Sequence, residues 1–187
     1  MNRTCGDCSK CCDLLPVKEL GKAANERCVH QSYAKGCKIY QKEGFPVSCR
    51  YWTCRWLTDT DTAAMSRPDR SGYVIDVMPD FIRITPNGGE TQNVPVIQVW
   101  VDPKRPDAHK DPHLRAYLEK QAALGNAALI RFGSHDGFVL FAPIFTGAGW
   151  VEAGGITDPH EHTAGEIVEA LGEGWEAVDL SKEAQHK

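Results

Sequence analysis

Eight cysteines fall between Cys5 and Cys54 of this 187-residue chain, and none follows. Four of them, Cys5, Cys8, Cys11 and Cys12, are packed into the run C-G-D-C-S-K-C-C. The thiolate is the form of cysteine that ligates metals and reacts. Thiols at this density are therefore held by metal, paired as disulfides, or exposed to oxidation. Two sulfurs three residues apart can grip one ion from a tight turn, with backbone N–H groups aimed at the thiolates.

Disulfides are the weaker outcome. The chain opens M-N-R-T-C-G, which leaves no room ahead of Cys5 for an apolar signal segment, so a cytoplasmic protein with reduced thiols is expected. No stretch approaches the roughly 20 apolar residues that span a bilayer. Adjacent Cys11 and Cys12 cannot bridge each other without strain. Metal ligation is the stronger reading, and two metals compete for it. Three cysteines at intervals of three have the spacing that opens a ferredoxin-type cluster run, although the C-x-x-x-C-P ending is absent. Structural zinc sites more often use two separated C-x-x-C pairs, whereas Cys28, Cys37, Cys49 and Cys54 are spaced by nine, twelve and five. Zinc is favoured and an iron–sulfur cluster is the alternative. All eight cysteines, Cys5, Cys8, Cys11, Cys12, Cys28, Cys37, Cys49 and Cys54, are candidate ligands. They make two four-cysteine sites, or one site with supporting thiols. Cys11 and Cys12 project in different directions and could serve two neighbouring metals. The plainer alternative treats Cys28 or Cys37 as a small buried residue.

Charge agrees with an anionic site in the first third of the chain. Residues 1–57 hold ten Lys/Arg against five Asp/Glu, while residues 58–187 hold eleven against twenty. Eight thiolates on two divalent zinc ions leave a net charge of about −4, which Lys10, Lys18, Lys22, Arg27, Lys35, Lys38, Arg50 and Arg55 can offset. A basic surface for nucleic acid is the competing explanation. The scatter of these cations and the lack of any nucleic-acid motif argue against it. No membrane partner is indicated, and a protein partner stays open.

The run C-x-x-C-x-x-C-C, then Cys28, then G-C-K-I-Y from Gly36 to Tyr40, then F-P-V-S-C-R-Y-W-T-C-R-W from Phe45 to Trp56, resembles the CxxCxxCC cysteine-cluster (YkgJ-type) family. The resemblance covers roughly residues 5–57 and says nothing of residues 72–187. It implies a zinc- or iron-chelating protein in which all eight cysteines take the metal-binding positions. Where the family often has Arg-Pro, this chain has Phe45-Pro46. The family also carries the label flagellin N-methylase, so an iron–sulfur-dependent enzyme such as a protein lysine N-methylase is an alternative, and a metal-handling or delivery protein is a second. No glycine motif for a methyl donor accompanies the label.

Other candidate chemistry is thinner. His30 lies two residues after Cys28 and could replace a cysteine as ligand. His109 and His113 have i, i+4 spacing, but Pro112 interrupts them and no H-E-x-x-H pattern exists. His160-Glu161-His162 reads as a solvated segment. Asp76, Asp80, Asp102 and Asp107 could form an acidic cleft. Gly147, Gly149, Gly154 and Gly155 lack both the P-loop and the dinucleotide fingerprints and read as a loop.

The elements that must position these residues form an α+β fold: a Cys-rich, metal-organised N-terminal module packed with a small, mainly antiparallel sheet and one or two helices. Residues 1–57 hold little apolar material for a core of their own. Tyr33, Tyr40, Phe45, Tyr51, Trp52 and Trp56 are expected to wall the site from water, with base stacking the lesser reading. Residues 58–71 are polar and read as a connecting loop. Residues 72–187 form an α+β part with a frayed C-terminus, or one continuous domain with the first module. There, Tyr73–Met78 and Phe81–Thr85 flank Pro79-Asp80 as a predicted hairpin, and Val96–Val101 is a third strand. Asp111 as N-cap, Pro112 at the first helical position and Gly125 at the end delimit a helix over 112–124. Ser134-His135-Asp136-Gly137 marks a second hairpin, and a last helix is expected near Ala164–Leu171.

Overall fold

A computed structural model describes residues 3–33, 35–76, 80–86, 90, 92–153 and 175–178. The architecture is α+β, with short helices and a mainly antiparallel sheet. The chain divides into two compact units: Met1–Met78 with Val99–Tyr117 and Phe132–Ser134, and Pro79–Gln98 with Leu118–Arg131 and His135–Lys187. Among the described residues no helix is long and apolar enough to cross a membrane.

The first unit carries all eight cysteines. Its helices are α1 (Lys10–Leu14), α2 (Val47–Tyr51), α3 (Arg55–Thr58) and α4 (Pro68–Ser71), each four or five residues long and none with a side-chain N-cap. Helices this short do not persist by propensity, so tertiary contacts must hold them. A small core does this: Leu14, Leu15, Cys54, Val74 and Trp100 are buried together, with Cys11, Trp52, Trp56 and Leu57 packed against them. The hairpin of β1 (Gln31–Ser32) and β2 (Gly36–Cys37) is antiparallel, with Gln31 opposite Cys37. Residues 58–71 are more than a loop. They contain a 3-10 turn at Thr60–Thr62 and α4, and Thr62 is fully buried. The Arg3 guanidinium donates to the carbonyls of Trp56 (2.7 Å), Thr62 (3.0 Å) and Ala63 (2.9 Å) and lies over the Trp56 ring.

Strand β3 (Tyr73–Ile75) departs from the expected hairpin. It pairs antiparallel with the end of β5 (Gln92–Val101), placing Tyr73 opposite Val101. Strand β4 (Asp80–Pro86) also pairs with β5, at Gln92–Val96. The ten residues of β5 are long enough to pair β3 at Val99–Val101 and β4 at Gln92–Val96, so the two strands share a neighbour instead of pairing with each other.

In the second unit the strand order is β8-β7-β6-β5-β4-β9, with β6 (Ala127–Arg131), β7 (Gly137–Phe141), β8 (Val151–Ala153) and β9 (Trp175–Val178). The β6–β7 hairpin forms as its turn residues predict, pairing Ala128 with Leu140 and Arg131 with Gly137. A Cβ on Gly137 would lie 2.2 Å from the Ile130 carbonyl oxygen, so the close strand approach requires glycine there. Helix α5 (Pro112–Ala123) has the expected limits. Asp111 Oδ1 accepts from His113 N–H at 2.9 Å, and Gly125 adopts φ 88° at the exit. A final short helix, α6 (Pro143–Thr146), ends in Gly147 at φ 68°. The helix expected near 164–171, the glycines at 154–155 and His160-Glu161-His162 lie outside the described residues.

Candidate metal centre

The C-x-x-C segment is a tight turn closed by Cys8 N–H on the Cys5 carbonyl at 2.9 Å. Gly6 sits in that turn at φ 54°, where a side chain is disfavoured, and a Cβ there would come within 3.3 Å of Arg67 Nη1. Helix α1 then presents Cys11 and Cys12. Consecutive helical residues diverge by about 100°, so the two sulfurs face different surroundings, and the burial of Leu14 sets which way each one looks.

Cys5, Cys8, Cys11 and Cys54 line one cavity of about 20 Å³, with Trp52, Trp56, Leu57, Arg67, Pro68 and Val74. Cys54 stands immediately ahead of α3, and Leu57 N–H closes the turn on its carbonyl at 2.9 Å. Two tryptophans are fixed by their indole N–H groups, Trp52 on Asp76 Oδ1 (2.7 Å) and Trp56 on the Met65 carbonyl (3.1 Å). Arg67 holds the other side. It binds Asp69 by two nitrogens (2.6 and 2.8 Å), Asp7 at 2.6 Å and the Cys5 carbonyl at 3.5 Å.

Cys12, Cys28, Cys37 and Cys49 form the other neighbourhood. Cys28 N–H donates to the Cys12 carbonyl at 3.0 Å, which ties the next loop to α1. Gln31 Nε2 donates to Ser9 Oγ at 2.8 Å and brings the hairpin bearing Cys37 to the same end of α1. Cys49 arrives on α2, whose start is fastened by Ser48 N–H and Oγ on the Glu19 carboxylate, both at 2.8 Å. Cys37 and Cys49 each lie within electrostatic reach of Cys12 and Cys28.

Burial sets the ionisation of these thiols. It pushes Cys5, Cys8, Cys37 and Cys49 above the ordinary range and Cys54 up to about 11. Cys11 and Cys12 behave as a pair. The Cys11 thiol donates to the Cys12 sulfur, which raises Cys11 and lowers Cys12. Lys22 is the compensating cation on that side. It is buried, its Nζ donates to the Leu15 and Ala23 carbonyls, and desolvation lowers its pKa while Cys28 and Cys12 work against that shift.

All eight cysteines are free thiols. Among the described residues, however, no group of three or more His, Cys, Asp or Glu side chains converges at coordinating geometry. The chemistry of the donor set suits thiophilic metals, since the two neighbourhoods supply eight soft sulfurs. Drawing four sulfurs to about 2.3 Å from a zinc ion would require the Cys5–Cys8 turn and the loops of Cys28 and Cys37 to contract.

The remaining candidates have structural occupations. His30 is half-buried and its carbonyl accepts from Lys38 N–H at 2.8 Å. His109 is buried with Nδ1 2.7 Å from the Pro106 carbonyl oxygen, its ring edge-on to Phe132. Asp76 receives the Trp52 indole N–H, Asp102 pairs with Lys10 at 2.8 Å, and Asp107 pairs with Lys110 at 2.7 Å. These three acids do not make a cleft. The aromatic wall is half of what was expected: Phe45 is buried and Trp52 and Trp56 pack on the core, but Tyr33, Tyr40 and Tyr51 are exposed. Arg67 escaped sequence reasoning, because its role depends on a contact 60 residues away from the turn that it braces. No family model, no curated protein and no solved structure matches this chain.

Proposed function

We propose that this is a metal-binding protein with two four-thiolate sites, Cys5, Cys8, Cys11 and Cys54 in one and Cys12, Cys28, Cys37 and Cys49 in the other, each holding zinc. The observation that carries the reading is one cavity lined by four cysteines, three from the Cys5–Cys12 run and one from 42 residues beyond it. Its volume of about 20 Å³ suits one water-sized species, near the minimum a single water needs. That favours an ion over a four-iron cube at that site. An iron–sulfur cluster is the second reading, favoured by the three cysteines at intervals of three. The resemblance of residues 5–57 to the CxxCxxCC family points the same way for metal and extends to an enzyme or a metal-delivery role, for which no residue here supplies a mechanism. Free thiols suit a reducing compartment, and the cytoplasm is the location we assign.

The test is anaerobic purification followed by elemental analysis, native mass spectrometry and an absorption spectrum. A colourless protein carrying one zinc per thiol group supports the proposal. Broad visible absorption with iron and sulfide replaces zinc by a cluster. Metal-free protein that stays folded and takes up neither metal refutes both.

A further inference from the structure

Eight large hydrophobic side chains are exposed among the described residues, and five of them, Val29, Tyr33, Tyr40, Val47 and Tyr51, fall within residues 29–51. The three tyrosines are 82%, 61% and 77% exposed. Each is held by the chain around the second thiol group. Tyr33 rides the turn closed by Lys35 N–H on the Ser32 carbonyl at 3.0 Å. The Tyr40 ring stands edge-on against buried Phe45, centroids 5.4 Å apart. Tyr51 ends α2, two residues after Cys49.

The charge on the same stretch is one-sided. Residues 27–51 contain Arg27, Lys35, Lys38, Lys42 and Arg50 against the one acid Glu43. All five cations are exposed, and among the described residues none forms an ion pair. Glu19, the acid that reaches into this segment, is occupied by Ser48. Exposed rings and cations without ion-pair partners on one stretch of chain, in a protein of net charge −4, suit a polyanion with flat apolar groups.

From this we infer, against the expectation drawn from the scatter of the cations along the sequence, that the segment of residues 29–51 binds single-stranded nucleic acid, with Tyr33, Tyr40 and Tyr51 stacking on bases and Lys35, Lys38, Lys42 and Arg50 meeting phosphates. A duplex is disfavoured because reading a groove takes a helix or a two-stranded ribbon of some length. Here α2 has five residues, and β1 and β2 have two each. An anionic membrane is disfavoured for a similar reason, since the patch contains no amphipathic helix able to lie in the interface. Unpaired bases need only π-faces and cations, which this surface offers. The inference rests on the proposed second metal site only for the ordering of the loops that bear the rings.

The 187-residue chain as purified is titrated into fluorescein-labelled oligothymidylate and oligouridylate of about 12 nucleotides, followed by anisotropy. Metal content and far-ultraviolet circular dichroism are recorded for each variant. Saturable binding that weakens with salt is expected. Tyr33→Ala with Tyr51→Ala should weaken it at least about tenfold, while Tyr33→Phe with Tyr51→Phe keeps it, because the ring and not the hydroxyl stacks. Lys38→Ala with Lys42→Ala should weaken binding and flatten its salt dependence. The inference is overturned by no binding from a folded, metal-loaded protein, by equal affinity in the double alanine variant, by tighter binding to the matching duplex, or by capture of phosphatidylserine vesicles with no oligonucleotide binding. Oligonucleotide binding by a folded protein that carries and takes up neither zinc nor iron would sink the metal sites and support this inference.

Discussion

Replacing Arg67 by methionine removes the brace on the Cys5–Cys8 turn without touching a sulfur. The magnitude follows from three contacts. The two-point contact to Asp69, at 2.6 and 2.8 Å, lies two residues along the chain from Arg67 and survives when the Cys5–Cys8 turn opens, so it aims the guanidinium without adding to the bracing. The Asp7 pair is short at 2.6 Å, but Asp7 is 54% exposed and solvent screening reduces it to a few tenths, about 0.3 kcal/mol. The 3.5 Å contact to the Cys5 carbonyl is at the limit of a hydrogen bond and adds little. Roughly 0.3 kcal/mol of bracing corresponds to somewhat less than a twofold change in an equilibrium constant. Because that bracing is lost when the turn opens, a chelator should strip metal from the proposed site of Cys5, Cys8, Cys11 and Cys54 about 1.5- to 2-fold faster in Arg67→Met than in the wild type. The assay is zinc release to a chromogenic chelator under pseudo-first-order conditions, with metal per chain measured beforehand. Arg67→Lys should recover only part of the rate, since an ammonium cannot reproduce the fork on Asp69. The difference should shrink in high salt. Identical release from wild type and Arg67→Met, at equal starting metal content, refutes the bracing argument.

Replacing Asp111 by alanine should cost about 2–3 kcal/mol in urea unfolding, because it strips the N-cap of α5 and leaves the buried Tyr73 hydroxyl without its 2.9 Å acceptor; Asp111→Asn should retain most of the stability. Gly137→Ala should open the β6–β7 hairpin, where the new Cβ would meet the Ile130 carbonyl oxygen at 2.2 Å, and amide exchange across Ala127–Arg131 should accelerate. Because burial raises the Cys5, Cys8, Cys37, Cys49 and Cys54 thiols, they bind protons at neutral pH and must release them to ligate, so apparent zinc affinity should rise with pH through neutrality and fall in acid. Proton release on zinc addition in weak buffer, followed by an indicator dye, checks this; no release refutes it. Cys28→Ser should lower metal per chain by one site and no more, read by native mass spectrometry, because the backbone N–H that ties this loop to the Cys12 carbonyl survives the substitution; loss of both metals refutes this.

Much of the scaffold was legible because its signals are local. Asp111, Pro112 and Gly125 delimit α5 by chemistry that acts within one turn, and the Ser134–Gly137 turn specifies the β6–β7 hairpin. The pairing of β3 was not legible. Residues 73–75 are β-branched or aromatic and fit any strand partner, and only the length of β5 allows it to serve β3 and β4 together. At the candidate site the cysteines announced themselves by density, but their division into groups did not, since it depends on the direction in which a five-residue helix turns Cys11 and Cys12. The aromatics misled for a related reason. A tyrosine covers a site or faces solvent according to the loop that carries it, and Tyr33 sits at the outside of a turn.

Helix α1 explains why the two thiol groups belong to one device. It is too short to stand by itself, and it carries one sulfur of each group on adjacent residues. Leu14 anchors it to the core, the Cys12 carbonyl receives the Cys28 loop, and Gln31 fastens the hairpin to Ser9 at its start. Anything that orders the Cys5–Cys8 turn therefore also orders the residue from which Cys12 projects, and the reverse holds for the Cys28 loop. The Cys11-to-Cys12 thiol hydrogen bond adds an electrostatic link, because ionising either sulfur changes the cost of ionising the other. Occupation of one group by a cation lowers that cost for its neighbour, while Lys22 and Arg67 supply fixed positive charge on the two sides. The binding proposed for the two groups is thereby coupled through the five residues of α1 and the electrostatic contact between Cys11 and Cys12.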